Sequence, residues 1–133
     1  MKRTYTLPEA NRVLALVRAI GAELIERRTL RRTLNRQREQ LEASSTPEGL
    51  CQSLAELDAR IYEQDDGVAR CKQELEGLGM TVLRTNPLTV HISGESRSGP
   101  VVFCWQEGES AVCFGHPVGE EEEQRRPLRL KAG

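Results

Sequence analysis

One stretch decides the fold: LCQSLAELDARIYEQDDGVARCKQELEGL, residues 50–78. Its apolar residues recur at alternating steps of four and three, the spacing of a helix that packs along one seam against another helix. The seam residues are Leu50, Leu54, Leu57, Ile61, Gln64, Val68, Cys71, Leu75 and Leu78. Gln64 is the polar break in this series. Gly67 is a weak point that permits a kink or break, because glycine costs ~1 kcal/mol relative to alanine in a helix.

A second long helix is predicted upstream, and it opens with the capping box Thr6-Leu7-Pro8-Glu9. In such a box the threonine hydroxyl accepts from the glutamate N–H and the glutamate carboxylate reaches back. Ser45-Thr46-Pro47-Glu48 repeats the signal before the helix of residues 50–78. The upstream seam is Ala10, Val13, Val17, Ile20, Leu24, Arg27, Arg31, Leu34, Arg38 and Leu41. Two long helices joined by a short link predict an antiparallel hairpin over residues 6–79.

Charge supports this pairing. Residues 9–43 hold eight Arg and five Glu, whereas residues 48–78 hold eight acids and three bases. Folding about residue 46 brings two arginines opposite three acids, Arg27 and Arg28 against Glu63, Asp65 and Asp66. Exposed ion pairs contribute only ~0.2–1 kcal/mol each, so they set register more than stability. Three seam arginines are the predicted interaction residues and give the seam a polar register: Arg27, Arg31 and Arg38.

The rest of the chain has the pattern of strands in an antiparallel meander. Apolar and polar residues alternate over 88–93, 101–105 and 111–114, and residues 81–84 add a short strand. A loop is predicted over Gly94–Gly99, and Glu107, Gly108 and Glu109 are assigned to a turn. The sequence therefore predicts an α+β fold in a single domain over residues 1–133. Its parts are a long, coiled-coil-like antiparallel helical hairpin (6–79), a three- or four-stranded antiparallel β-meander (80–117) and a polar C-terminal arm (118–133).

Composition narrows the class of protein. The chain has 19 Lys and Arg against 20 Asp and Glu, and only 4% of its residues are aromatic. A dedicated duplex-binding protein would be strongly basic, and a single-strand binder would offer more aromatic stacking surfaces. No stretch reaches the ~20 apolar residues that span a bilayer, and the N-terminus lacks the apolar core of a signal peptide. These features predict a soluble, cytoplasmic protein.

Two small sites are candidates in the sheet. Cysteine and histidine side chains suit zinc, and one predicted sheet face would carry His91, Cys104 and Cys113. The alternative is that the cysteines are small apolar residues of a half-covered face, with no metal or other cofactor bound. An anion site is the other candidate, formed by His116 with Arg125 and Arg126. Alternation places His116 on the side of Phe114 and Trp105; the alternative is a strand-end histidine beside a solvated basic arm.

Three stretches together resemble a known family. They are Tyr5 to Leu14, Leu78-Gly79-Met80, and Val102 to Glu109 with the later Phe114-Gly115-His116 and Arg125 to Leu128. In this order they are similar to the domain of unknown function 2203 family. The resemblance implies a bacterial, cytosolic protein with a helical hairpin and a small sheet, and no established activity. The chain departs from the family where Gly115 replaces the usual tryptophan and where His91-Ile92 replaces the usual Asp-Phe.

The leading functional prediction is a non-catalytic protein–protein interaction or scaffold module that uses the helical hairpin. A homodimer is expected because some apolar residues lie off the main seam and need cover, either from a partner or from the sheet: Leu14, Leu16, Ile25 and Leu30. One alternative is a metal- or anion-binding regulatory or enzymatic site on the meander. Another is RNA or ribosome contact through the arginine-rich run that begins at Arg27 and ends at Arg38. No catalytic arrangement has sequence context, so an enzyme is not favoured.

Overall fold

The structure is a computed structural model that describes residues 4–44, 50–97, 99–112, 114–117 and 126–127. Two long antiparallel helices precede an antiparallel sheet, so the predicted α+β hairpin and meander are confirmed. The helices are α1 (Leu7–Ser44) and α2 (Leu50–Gly77). The strands are β1 (Met80–Thr85), β2 (Leu88–Ser96), β3 (Gly99–Gln106), β4 (Phe114–Pro117) and β5 (Arg126–Pro127).

The start of α1 has the predicted capping box. The Thr6 N–H donates to Glu9 Oε1 at 2.9 Å, and the Glu9 N–H donates to Thr6 Oγ1 at 3.3 Å. These bonds satisfy two backbone donors that a helix start would otherwise leave without partners. The second box, Ser45-Thr46-Pro47-Glu48, lies outside the described residues.

Helix α2 continues without a break through Gly67. Gly67 is buried, and a Cβ atom at this position would overlap the Arg27 side chain of α1. The missing side chain therefore lets Arg27 lie across the backbone of α2. Close packing between the helices, and not a kink, accounts for this glycine.

The five strands lie in the order β1-β2-β3-β4-β5, with each neighbouring pair antiparallel. The loop prediction over Gly94–Gly99 is wrong, because β2 extends to Ser96 and β3 starts at Gly99. Gly99 has a φ of 112°, which glycine adopts without strain, and this allows a tight turn. At Gly94 the lack of a side chain leaves room for the Phe103 ring.

The strand predicted over 111–114 is displaced, since β4 starts only at Phe114. Asn11 of α1 explains the shift. The Val112 N–H donates to Asn11 Oδ1 at 2.8 Å, and Asn11 Nδ2 donates to the Val112 carbonyl at 3.5 Å. These bonds take the place of ladder bonds at Val112. Before this segment, Glu109 is a turn residue as predicted, because its carboxylate accepts from the Gln106 N–H at 2.7 Å.

The core lies between the sheet and one half of the hairpin. We call α1 residues 7–28 with α2 residues 64–77 the proximal half, and α1 residues 29–44 with α2 residues 50–63 the distal half. The core cluster takes apolar side chains from α1 up to Ile25 and from α2 starting at Val68. The sheet supplies Met80, Leu88, Val90, Ile92, Phe103 and Trp105. The distal half contributes nothing to this cluster.

No helix within the described ranges has both the length and the apolar composition that a membrane crossing requires.

Candidate functional site

The three predicted interaction arginines contact α2 of the same chain. Arg31 forms an ion pair with Asp65, and Arg38 donates to Asp58 Oδ1 at 2.6 Å. Arg27 donates to Gln64 Oε1 at 3.4 Å. The hydrogen bond to Asp58 holds the pKa of Arg38 above its usual value. Arg31 and Arg38 thus bridge the two helices, Arg38 within the distal half and Arg31 at its boundary with the proximal half.

Arg28 was expected to lie opposite the acids of α2, but it contacts the end of the sheet instead. Its guanidinium donates to Glu107 Oε1 at 2.7 Å and to the Thr85 carbonyl at 2.5 Å. The Glu107 carboxylate also accepts from the Leu88 N–H at 2.5 Å. The reason is helical geometry, because Arg28 lies about 100° round α1 from Arg27 and so faces the sheet. We call this contact the Arg28–Glu107 latch.

The Arg28–Glu107 latch also lowers the pKa of Glu107. The hydrogen bond from Arg28 lowers the pKa of Glu107, and the bond from the Leu88 N–H acts in the same direction. The pair is half-buried, with side-chain exposures of 18% for Arg28 and 24% for Glu107. The latch therefore fixes α1 to the end of the sheet where the distal half begins.

Sequence reasoning missed a surface on the other flank of the distal α1. Leu30, Thr33 and Gln37 are all exposed and carry no charge. On a helix they lie on one side of the line through Leu34 and Leu41, whereas Arg31 and Arg38 lie on the other side. We call these three residues the uncharged strip. Their steps of three and four, beside the main seam, were the signal in the sequence.

The seam next to this strip is incompletely covered. Leu34 is buried, but the remaining apolar seam residues of the distal half are only half-buried: Leu41, Leu50, Leu54, Leu57 and Ile61. Of the off-seam residues, Leu14 and Ile25 belong to or pack on the core, so the sheet covers them. Leu16 is 48% exposed and Leu30 is 40% exposed. The sheet therefore covers two of the four residues that were expected to need a partner.

Most arginines of the arginine-rich run already form ion pairs within the chain. Four of its six members contact acids in the same chain: Arg27, Arg28, Arg31 and Arg38. Arg32 and Arg36 are exposed and have no ion pair within the part of the chain that the structure describes. Two surface arginines make a small phosphate-binding footprint, which gives the RNA alternative little support.

Another buried contact joins the helices in the proximal half. The Cys71 thiol donates to Glu23 Oε2 at 3.0 Å, and Cys71 is fully buried. Burial, with Glu23 alongside, raises the pKa of Cys71 to about 12. This thiol stays protonated at neutral pH and is not a nucleophile. Cys51, in the distal half, is exposed.

The sheet brings together part of each predicted small site. His91 pairs with Cys104 across β2 and β3, so their side chains share a sheet face, while Cys113 lies outside the described residues. Among the residues described, no group of three or more His, Cys, Asp or Glu side chains is arranged to hold a metal ion. Of the anion candidates, Arg126 pairs with Gly115, the residue before His116, and Arg125 is not described.

His116 lies on the opposite face from the one predicted. Phe103 pairs with Gly115 and Val102 with His116, so His116 shares the face of His91 and Cys104, away from Trp105. The error lies in the register of β4 on β3, because Phe114 pairs with Cys104 and not with Trp105. The imidazole rings of His91 and His116 lie 5.3 Å apart between centroids, at an interplanar angle of 71°. No local pattern in the sequence indicates this pair, because it depends on the register of β4 on β3.

Comparison with known proteins places the chain in a family. A family model described as "Uncharacterized conserved protein (DUF2203)" matches residues 3–128. No curated protein and no solved structure matches the chain. The match spans nearly the whole sequence, and the chain belongs to the DUF2203 family of uncharacterised proteins.

Proposed function

We propose that this protein is a non-catalytic protein–protein interaction or scaffold module that docks a protein partner on the distal half of its helical hairpin. One observation carries the proposal. The distal half presents the exposed uncharged strip along a seam whose leucines other than Leu34 remain half-buried. Depletion of charge around apolar residues is the compositional mark of an interface centre.

The ion pairs of Arg31 and Arg38 support the same role. The contacts of Arg31 with Asp65 and of Arg38 with Asp58 join the two helices on the flank opposite the strip. The Arg28–Glu107 latch fixes α1 to the sheet at the point where the distal half begins. A docking surface that is already ordered loses less conformational entropy when a partner binds.

A photo-crosslinking residue introduced at Gln37 in the living source cell tests this proposal. Adducts between this position and a protein are expected. Arg36 is the matched control, because it is also exposed but lies about 100° round α1 from Gln37, outside the strip. Absence of adducts at Gln37, or equal labelling at Arg36, would contradict the proposal.

A second candidate function, a small metal or anion site on the sheet, is favoured by the His91–His116 pair alone. Calorimetric titration with Zn²⁺ and separately with inorganic phosphate tests it, with His91→Asn as the comparison variant. Micromolar binding that the variant loses would support a site. No heat with either probe would remove this candidate.

A further inference from the structure

The two histidines of the chain lie side by side in the folded protein. The sequence contains only two, His91 and His116. The register of the sheet brings them to one face, on β2 and β4, with β3 between these strands. Their ring centroids are 5.3 Å apart in an edge-to-face contact with an interplanar angle of 71°. Every imidazole of this protein therefore belongs to a single pair, which we call the histidine pair.

The histidine pair is largely shut off from water. His116 is only 6% exposed, and His91 is half-buried. The Nε2 atoms of both rings are buried. Cys104, which lies opposite His91 on the same face, is fully buried as well. An imidazolium ion in this position loses much of its hydration, so a positive charge on both rings at once is costly.

The neighbouring strands bring mainly cations to this region. On the same face, Arg84 of β1 lies one row of paired residues from His91, and Glu95 of β2 lies two rows from it at the exposed end of the strand. On β5, Arg126 pairs with the residue before His116. Over their described lengths, β3 and β4 add no acidic or basic residue other than His116 to this face. The helices pack on the opposite face of the sheet.

We propose that the histidine pair makes the docking of β4 on the sheet depend on pH within the range in which histidine titrates, about pH 8 to 5. At neutral pH, two uncharged rings pack edge to face and join β4 to β2 across β3. Protonation of both rings puts two positive charges into this contact, and like charges so close repel. The rings regain water when β4 moves away, so the open form binds the two protons more readily than the closed form. Lower pH therefore favours the open form.

The structure confines this movement to β4. The strand has only 4 residues, Phe114–Pro117, whereas β2 has 9 and β3 has 8. Just before β4, Val112 is held to Asn11 of α1 by two hydrogen bonds. The Arg28–Glu107 latch does not open in the same range, because the pKa of Glu107 is lowered and its carboxylate stays charged. Opening therefore hinges after Val112 and uncovers Cys104, the residue that pairs with the start of β4.

Hydrogen exchange followed by mass spectrometry tests the proposal on the full chain at about pH 7.5 and 5.5. EDTA is present so that no metal ion bridges the rings. After correction for the intrinsic effect of pH, the β4 amides should exchange ~10-fold faster or more at the lower pH. The α2 amides that pack on the core are the internal control and should change by less than about twofold.

Variants separate the histidine pair from other effects of acid. His91→Asn removes one ring and leaves the sequence of β4 unchanged, so the acceleration at the lower pH should be lost. His116→Asn should have the same effect and replaces it if His91→Asn does not fold, which circular dichroism shows. Arg84→Gln is the matched control, because it removes the nearest cation on this face; it should keep the acceleration within about twofold.

NMR of the imidazole ring protons gives a second readout, because the chain has no histidine outside the pair. The wild type should titrate in two separate steps and His91→Asn in one. Exchange of β4 that does not respond to pH, or a response that His91→Asn retains, would overturn the proposal. An equal response throughout α2 would also overturn it, because acid would then open the whole protein. None of these results bears on docking at the distal half.

Discussion

The two halves of the hairpin share one seam pattern but differ in what covers it. In the proximal half the sheet closes the third side, and residues such as Val17 and Leu24 are fully buried. In the distal half no sheet covers the seam, and its leucines other than Leu34 stay half-buried. Heptad spacing therefore specifies that two helices pair, and the surrounding elements decide how much stability that pairing contributes.

The largest expected effect tests this contrast directly. Leu24→Ala should reduce the free energy of unfolding by about 3 kcal/mol, because it empties a closed apolar site. Leu57→Ala, at a seam position of the distal half, should cost only about 1 kcal/mol because water already reaches the side chain. Urea unfolding followed by circular dichroism at one low protein concentration measures both. Equal losses would mean that the two halves are packed alike.

Gly94→Ala tests how closely β2 and β3 pack beside the core that covers the proximal half. A methyl group here would overlap the Phe103 ring, which is buried in the core, so the ring or the strand must move. We expect a loss of about 2 kcal/mol, typical of overpacking. Gly77→Ala is the control, since a Cβ there has no neighbour within 4 Å. If the two variants unfold at the same urea concentration, the close approach of Gly94 and Phe103 is wrong.

The Arg28–Glu107 latch should make the proximal half sensitive to acid. The folded-state pKa of Glu107 is lowered, so its contribution is present above the unfolded-state pKa and is lost as pH falls through the folded value. Glu107→Gln should therefore cost about 1–2 kcal/mol at pH 7, with the difference from wild type shrinking at lower pH. Unfolding curves between neutral and acidic pH measure this. A difference that does not change with pH would exclude the latch as its source.

The smallest effect is expected in the distal half. A double-mutant cycle of Arg38→Gln and Asp58→Asn should give a coupling of about 0.5 kcal/mol or less, because the Arg38 and Asp58 side chains are 34% and 54% exposed and water screens the pair. The coupling should decline as salt is raised. A coupling of several kcal/mol at high salt would show that the ion pairs, and not the seam, hold the distal helices together.

The features that the sequence predicted are those set by local spacing. The capping box at Thr6 and Glu9 is formed within four residues, and the two seams follow from the helical period alone. The meander follows from alternation. Each of these predictions needed only the residues of a single element.

The features that sequence reasoning missed depend on how elements meet. Local propensity makes Gly67 a weak point of the helix, yet it makes room for a side chain from the other helix. The late start of β4 depends on Asn11, which lies 101 residues before Val112. The register of β4 on β3 places His116 on the face of His91 and creates the pair. No local pattern encodes a register that a distant side chain sets.

Two cysteines, one in each half of the hairpin, report how often the two helices separate. Cys51 is exposed and should react with an alkylating reagent at once. Cys71 is buried, and its thiol donates a hydrogen bond to Glu23. When closing is fast compared with labelling, the labelling rate of Cys71 equals the open fraction of the helices near the sheet multiplied by the intrinsic rate of an exposed thiol. Mass spectrometry of the labelled peptides would measure this open fraction in the unmodified protein, without any engineered probe.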